Sequence, residues 1–331
     1  MGHLSPISDP ADARLMAAAI ALASRGRGRT SPNPCVGAII VNEGRIVGRG
    51  WTMPGGRPHA EAMALEQAGD AARGATLYTS LEPCAHASPR GPTCTASIIA
   101  AQVARVVIAL RDPDPRTDGR GITALEAAGI AVTTGVGAID ADRAMQGFLT
   151  RQLLGRAHVT LKLATSLDGR IARTDGTSKW ITGDAARAHG HLERARHDAI
   201  LVGRGTFDAD EPRLDVRLPG LADRAPARLL LTRGEAPAGW IAVASPPAAA
   251  TQPGVDHLIV EGGAGAASAF LAADLVDRVL LYRAPVLIGE GRAALGDIGL
   301  GSLADAHGRW GLADTRMLGS DRCEVYERVR D

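Results

Sequence analysis

The sequence predicts an α/β protein of two domains, residues 1–150 and 151–331. Three observations lead there. The chain has 331 residues, against roughly 150 for one ordinary domain. Short apolar runs alternate with Ala-rich stretches of helical spacing, the pattern of βαβ units in a largely parallel sheet layered with helices. A second such series starts afresh near Ala157, after a helix and short linker over residues 141–155.

Each element has its own local signal. Asp9 as N-cap and Pro10 at the first helical position open a helix that Gly26 ends, with Leu15, Ala18, Ala19 and Leu22 at helical spacing. Strands over 35–41 and 45–51 flank the turn Asn42-Glu43-Gly44 and read as a hairpin. A helix over 59–67 closed by Gly69, a strand over 75–81, a helix over 93–101 and a strand over 105–110 follow. A helix over 122–128 and a strand over 130–134 complete the half. In the second half, strands are expected at 158–164, 199–203, 228–232, 256–261 and 278–282, with helices at 184–196 and 265–273. The Ala- and Pro-rich stretch 235–254 reads as loop with at most a short strand near 240–243.

Composition narrows the function classes. Apolar residues make up 45% and charged residues 22%, and the net charge is +1. A near-neutral chain has no global field to gather polyanions, which argues against a dedicated nucleic-acid or anionic-membrane binder. No apolar run reaches membrane-spanning length, and residues 1–14 lack the basic-then-apolar pattern of a signal peptide. Pro6 occupies the place where a myristoylation motif needs Ser or Thr. The cysteines Cys35, Cys84, Cys94 and Cys323 are too few and too scattered for a disulfide scaffold. A cytoplasmic enzyme or small-molecule binder is the expectation.

His59-Ala60-Glu61, Pro83-Cys84 and Cys94 form the first constellation. One imidazole and two thiolates leave a tetrahedral zinc one open position for water, the arrangement of a catalytic site. Zinc lowers the pKa of such a water from about 15.7 to about 7, and Glu61 would shuttle its proton to a leaving amine. The His-x-Glu…Pro-Cys-x-x-Cys pattern is a known signature of zinc deaminases. Here residues 85–93 separate the two cysteines, where that signature has two residues; the longer loop brings His86 and Arg90 close to the site. Cys84 and His59 are expected at helix starts, where the dipole favours thiolate. Cys35 and Cys323 read as packing residues.

The runs Thr30-Ser31-Pro32-Asn33-Pro34-Cys35-Val36-Gly37, Pro58-His59-Ala60-Glu61 and Leu81-Glu82-Pro83-Cys84-Ala85-His86 resemble the deaminase half of the bifunctional riboflavin-biosynthesis deaminase/reductase family. The long Cys-to-Cys loop, with a His two residues after the first Cys, is characteristic of that family. The loop is one residue longer than usual there, and Thr52 stands where a histidine is common. The resemblance implies a cytidine-deaminase-like α/β/α domain, a zinc ion held by His59, Cys84 and Cys94, Glu61 as the catalytic residue, and Asn33 and His86 facing substrate. Read by residue type alone, Asn33 between prolines serves equally as a turn-stabilising Asx residue.

In the second half, Glu261-Gly262-Gly263-Ala264-Gly265 follows an apolar run and precedes a helical pattern. Strand, glycine turn and helix N-terminus is the geometry in which backbone N–H groups meet a phosphate. With Thr165-Ser166-Leu167-Asp168-Gly169-Arg170, Trp180-Ile181-Thr182-Gly183, Val202-Gly203-Arg204-Gly205-Thr206 and Asp210-Glu211-Pro212-Arg213-Leu214, it resembles the reductase half of the same family. That implies a dihydrofolate-reductase-like α/β domain using NADPH. Ala164, Trp180, Thr206, Asp210, Gly263, Ala264 and Gly265 match its cofactor positions, and Ser178, Arg194, Leu214, Arg217 and Glu261 its substrate positions. Arg suits the substrate's 5-phosphate because the guanidinium binds phosphate through two parallel N–H bonds. Taken singly, Trp180 is also compatible with a core position and Arg194 with a solvated helix face. Glu211 and Thr232-Arg233 depart from the family pattern, and Arg233 is a candidate partner for the 2′-phosphate of NADPH.

The resemblance implies two consecutive steps on a phosphoribosylaminopyrimidine, zinc-dependent deamination and then NADPH-dependent reduction of the ribosyl group, in a homodimer formed through the reductase domain. A nucleoside or tRNA deaminase with an appended non-reductase nucleotide-binding domain would demand a basic face and stacking aromatics, yet aromatics are 3%. A structural zinc module would need a fourth ligand, for which His86 is the nearby candidate, and would have no use for Glu61.

Overall fold

Helix α1 (Pro10–Ala23) begins where its capping chemistry puts it: the Asp9 carboxylate accepts the Ala11 amide at 2.9 Å, with Pro10 behind it. It ends at Ala23, short of Gly26, and buries Asp12, Met16, Ala19 and Ala23, while Leu15, Ala18 and Leu22 are half-buried. The computed structural model describes residues 9–86 and 91–330, so Arg90 and the first eight residues lie outside it. The chain forms two compact units that divide between Leu154 and Gly155.

In the first unit, β1 (Gly37–Asn42) and β2 (Arg45–Trp51) pair antiparallel across Glu43-Gly44, both with positive φ as a two-residue hairpin turn requires. There follow α2 (Ala60–Ala68), β3 (Thr76–Leu81), α3 (Cys94–Ala100), β4 (Arg105–Leu110), α4 (Arg120–Ala127), β5 (Ala131–Thr134) and α5 (Ala138–Leu154). The sheet order is β2-β1-β3-β4-β5. Only β3-β4 and β4-β5 are parallel; β1 runs antiparallel to both neighbours, so the sheet is mixed rather than largely parallel. The short hairpin decides this, since a two-residue link cannot make a parallel crossover.

Helices cover both faces, and two glycines set how closely they lie. A Cβ on Gly37 would stand 1.9 Å from the Ala19 carbonyl oxygen of α1, and one on Gly50 would stand 2.0 Å from the Ala60 carbonyl oxygen of α2. Asp12 fastens α1 from within: Arg105 donates to its two oxygens at 3.0 and 2.6 Å and the Tyr78 hydroxyl donates at 2.8 Å. The Arg105 guanidinium holds the Asp12 carboxyl below its ordinary range.

The second unit contains β6 (His158–Thr165), β7 (Arg170–Arg173), α6 (Asp184–Arg194), β8 (Ala199–Gly203), α7 (Arg204–Asp210), β9 (Ala227–Leu231), β10 (Ile241–Val243), α8 (Pro246–Ala250), β11 (His257–Val260), α9 (Ala264–Ala272), β12 (Val276–Arg283), β13 (Gly291–Ala293), β14 (Trp310–Leu318) and β15 (Asp321–Arg328). Eight strands form one sheet in the order β10-β9-β8-β11-β6-β12-β15-β14, and β7 pairs with β13. From β10 to β12 neighbours are parallel; β15 and β14 extend the sheet antiparallel. Those last two strands, like β7, α7 and β13, went unpredicted; β14 sits at a half-exposed edge without a continuous apolar run. Part of the expected loop 235–254 is helical instead: Ser245 caps α8 and Pro246 starts it. The carboxyl ends of β6, β8 and β11 all open toward one side, where ligands bind in open α/β sheets.

Gly37→Ala is expected to destabilise the chain by about 1–3 kcal/mol or more, seen as a lower urea midpoint with unchanged slope. Gly190→Ala, whose new Cβ would meet nothing within 4 Å in α6, is expected to be neutral or stabilising by about 0.4–1 kcal/mol.

Candidate active sites

Three chain segments bring the first site together. His59 is the residue before α2, but its ring makes no capping bond and is left for another use. Cys84 lies beyond β3 after Pro83, and Cys94 is the first residue of α3, with Thr93 as N-cap. It is therefore Cys94, not Cys84, that opens a helix; Cys84 gains from that terminus by accepting the Cys94 N–H at 3.3 Å. His59 Nδ1 is 3.3 Å from Cys94 Sγ and 3.7 Å from Cys84 Sγ, and one ligand atom from each residue falls within 4.8 Å of the others.

Zinc–sulfur bonds of about 2.3 Å and zinc–nitrogen bonds of about 2.0–2.1 Å at tetrahedral angles space N and S donors roughly 3.5 Å apart. The two distances here bracket that value, so the donor set fits the ion. Among the described residues no fourth ligand closes the group. His86 turns away, its Nδ1 at 3.3 Å from Thr117 Oγ1.

Electrostatics in the site follow from crowding. Hydrogen bonding with Cys94, helped by His59, brings Cys84 down to about 4 against its burial. The same contact with Cys84, with burial, pushes Cys94 up, and the Cys84 hydrogen bond raises His59. Glu61 is 3% exposed; burial lifts it to about 7, and Cys94 Sγ donates to its Oε2 at 3.4 Å. Asn33 Nδ2 donates to the Gly56 carbonyl at 3.0 Å, which ties its loop to the segment leading to His59. Thr52 is buried and its Oγ1 accepts the Val36 N–H at 2.9 Å, so it braces the entry to β1.

The second site is a cavity of about 620 Å³, within the usual range for small-molecule sites. Ala164, Trp180, Thr206, Asp210, Gly263, Ala264 and Gly265 line it, together with Ser178, Arg194, Arg217 and Glu261. Gly263 precedes α9, and its N–H donates to Thr206 Oγ1 at 2.9 Å, joining the starts of α7 and α9 across one wall. A Cβ on Gly262 would meet Ala266 Cβ at 2.6 Å, so the turn runs close against its helix; Gly205 and Gly265 face open space. This backbone-lined cradle fits a phosphate-bearing nucleotide. Leu214 is not among the lining residues: its side chain is buried with Ile200, Val202, Leu230 and Ile259, where an apolar group gains from the cluster.

Glu261 organises the floor. Arg194 donates to both of its oxygens at 2.8 Å, and Lys162 Nζ lies 3.7 Å from Oε2. Burial raises the Glu261 carboxyl, but Lys162 and Arg194 outweigh it and bring it down to about 2. Arg194 is therefore no solvated helix face. Trp180 is 65% exposed with the Arg187 guanidinium 4.7 Å over its ring, so it is no core residue either. Arg187 and His191 also line the cavity and were missed; their signal was spacing, since 187, 191 and 194 share one face of α6. Thr117 left no such trace, being brought to His86 only by the fold.

Residues 10–110 match the cytidine and deoxycytidylate deaminase zinc-binding region, and residues 157–239 and 248–323 match the RibD C-terminal domain. The chain is 37% identical to the riboflavin biosynthesis protein RibD of Escherichia coli, over 94% of this chain and 98% of that one. The RibD of Aquifex aeolicus is also 37% identical, over 89% and 92%. Among solved structures, Acinetobacter baumannii RibD superposes with a TM-score of 0.84 at 35% identity, covering 96% of this chain and 99% of that one. A deaminase/reductase from Thermotoga maritima gives 0.87 at 32% identity with the same coverage. With a cytidine-deaminase-like domain followed by a reductase domain, the chain belongs to the RibD family and is a bifunctional enzyme of riboflavin biosynthesis.

Proposed function

We propose that the first unit hydrolyses the 2-amino group of 2,5-diamino-6-(5-phosphoribosylamino)pyrimidin-4(3H)-one. The second unit then reduces the ribosyl group of the resulting 5-amino-6-(5-phosphoribosylamino)uracil to ribityl with NADPH. The observation that carries the reading is the His59, Cys84 and Cys94 cluster with a buried Glu61 against it.

Zinc supplies a Lewis acid that makes water nucleophilic near neutral pH. His59 Nδ1 and the sulfurs of Cys84 and Cys94 would hold it. Glu61 carries a proton from the attacking water to the departing amine, so water and substrate leave as carbonyl and ammonia. Asn33 and His86 orient the pyrimidine. In the second unit, NADPH supplies a hydride. Thr206, Asp210, Ala164, Trp180 and the turn from Gly263 to Gly265, which line the cavity, would hold the nucleotide. Ser178, Arg194, Arg217 and Glu261 hold the ribotide, with Arg217 at the rim available to its phosphate. Reduction at ribose C1′ breaks the bond to the ring oxygen, which takes up a proton as the chain opens.

The direct test is mass spectrometry of the products from the diaminopyrimidine ribotide, with and without NADPH. Amine-to-oxygen exchange without NADPH and a further gain of two hydrogens with it are expected; no change would overturn the substrate assignment. Glu61→Gln is expected to lower ammonia release by about 10²–10⁴-fold while supplied deaminated ribotide is still reduced. Stripping zinc with a chelator is expected to give the same split, restored by zinc. Glu261→Gln, which leaves Lys162 and Arg194 without their counter-charge, is expected to impair reduction and spare ammonia release.

A further inference from the structure

Glu82, directly before Pro83-Cys84, is 2% exposed and takes no part in the chemistry above. Its carboxylate accepts four backbone N–H groups. Oε2 receives those of Asp112 at 3.2 Å and Gly119 at 2.9 Å, and Oε1 those of Gly121 at 2.9 Å and Ile122 at 3.2 Å. All four donors come from the segment after β4 and the start of α4. The fit is close on both sides: a Cβ on Gly121 would stand 2.3 Å from the Pro83 carbonyl oxygen and 3.1 Å from Glu82 Oε1. Hydrogen bonds to a carboxylate are roughly twice as strong as neutral ones, so four on one side chain make a rigid joint.

Two arms lead from this joint into the deaminase site. The first is the chain itself. Pro83 and Cys84 follow, their carbonyls accept the Thr95 hydroxyl at 3.1 and 3.0 Å, and Cys84 Sγ accepts the Cys94 N–H. The second runs through the loop. Asp112 Oδ1 accepts the Asp114 N–H at 2.9 Å, the Asp114 carbonyl accepts the Thr117 N–H at 2.8 Å, and Thr117 Oγ1 meets His86 Nδ1.

We propose that Glu82 is a positioning residue for deamination, a buried carboxylate that locks the segment 112–122 onto the end of β3 and thereby places Cys84 for the metal and His86 for the pyrimidine. The inference rests on the reading of His59, Cys84 and Cys94 as metal ligands. Glu82→Gln tests it at nearly constant volume. A glutamine presents N–H donors at one end, where the backbone already supplies donors, so at least one pair of amides loses its acceptor.

With the full chain, the zinc dissociation constant of Glu82→Gln, read by competition with a chromophoric chelator, is expected to rise about 10- to 100-fold, as when outer partners of metal ligands are removed. The KM for the diaminopyrimidine ribotide is expected to rise as well. Amide exchange at Gly119, Gly121 and Ile122 should quicken, with reduction of supplied deaminated ribotide unchanged. A bare stability role would lower the unfolding temperature and leave the zinc constant and KM of the folded protein as they were; that result overturns the proposal. Should Glu82→Gln not fold, Thr117→Val interrupts only the loop arm. It is expected to raise KM severalfold at an unaltered zinc constant, and an unchanged KM overturns the proposal. Cys84→Ser separates this from the reading beneath it: undiminished zinc binding there refutes the ligand assignment itself. Weakened binding in Cys84→Ser beside wild-type binding in Glu82→Gln refutes the role of Glu82 alone.

Discussion

Burying a carboxylate costs several kcal/mol unless donors meet it, and both units are arranged around that constraint. In the first, Asp12 can be buried in α1 only because Arg105 and Tyr78 reach it from β4 and β3, and this joins helix to sheet. Glu82 is buried because four amides converge on it. In the second, Asp277 accepts both Arg156 nitrogens and the Val159 amide at the base of the sheet, while Glu261 is held between Arg194 and Lys162 at the cavity floor. Each carboxylate gathers groups from segments far apart in sequence, so the pairing carries tertiary information that apolar packing alone does not specify.

Glu61 obeys the same constraint differently. Burial outweighs the opposing pull of His59 and lifts it to about 7. Glu261, by contrast, is held charged by the two cations Lys162 and Arg194.

Much of this was legible beforehand where a signal is local. The cap at Asp9, the hairpin turn at Asn42-Glu43-Gly44 and the apolar strands at 105–110 and 199–203 each depend on residues within a few positions of one another. His59, Glu61 and Cys84 were legible because His-x-Glu and Pro-Cys are short motifs. What escaped was mostly non-local. The C-terminal strands β14 and β15 and the bond between His86 and Thr117 depend on contacts across the fold, whereas the helix at 246–250 was missed although Ser245 before Pro246 is a local start signal. Leu214 shows the limit in another way: position within a motif could not tell that its side chain would join an apolar cluster.

By itself, the sequence determined most of the strands and helices of the first unit, the central strands of the second, the two-part organisation and the inventory of reactive groups, since periodicity, capping and motif spacing are properties of neighbouring residues. Only the tertiary structure decided which of those groups meet. It brings His59 Nδ1 within 3.3 Å of a sulfur 35 residues away and Arg194 within 2.8 Å of a carboxylate 67 residues away. Such distances are set by sheet order and by how closely glycines let helices approach, neither of which any local stretch of residues encodes.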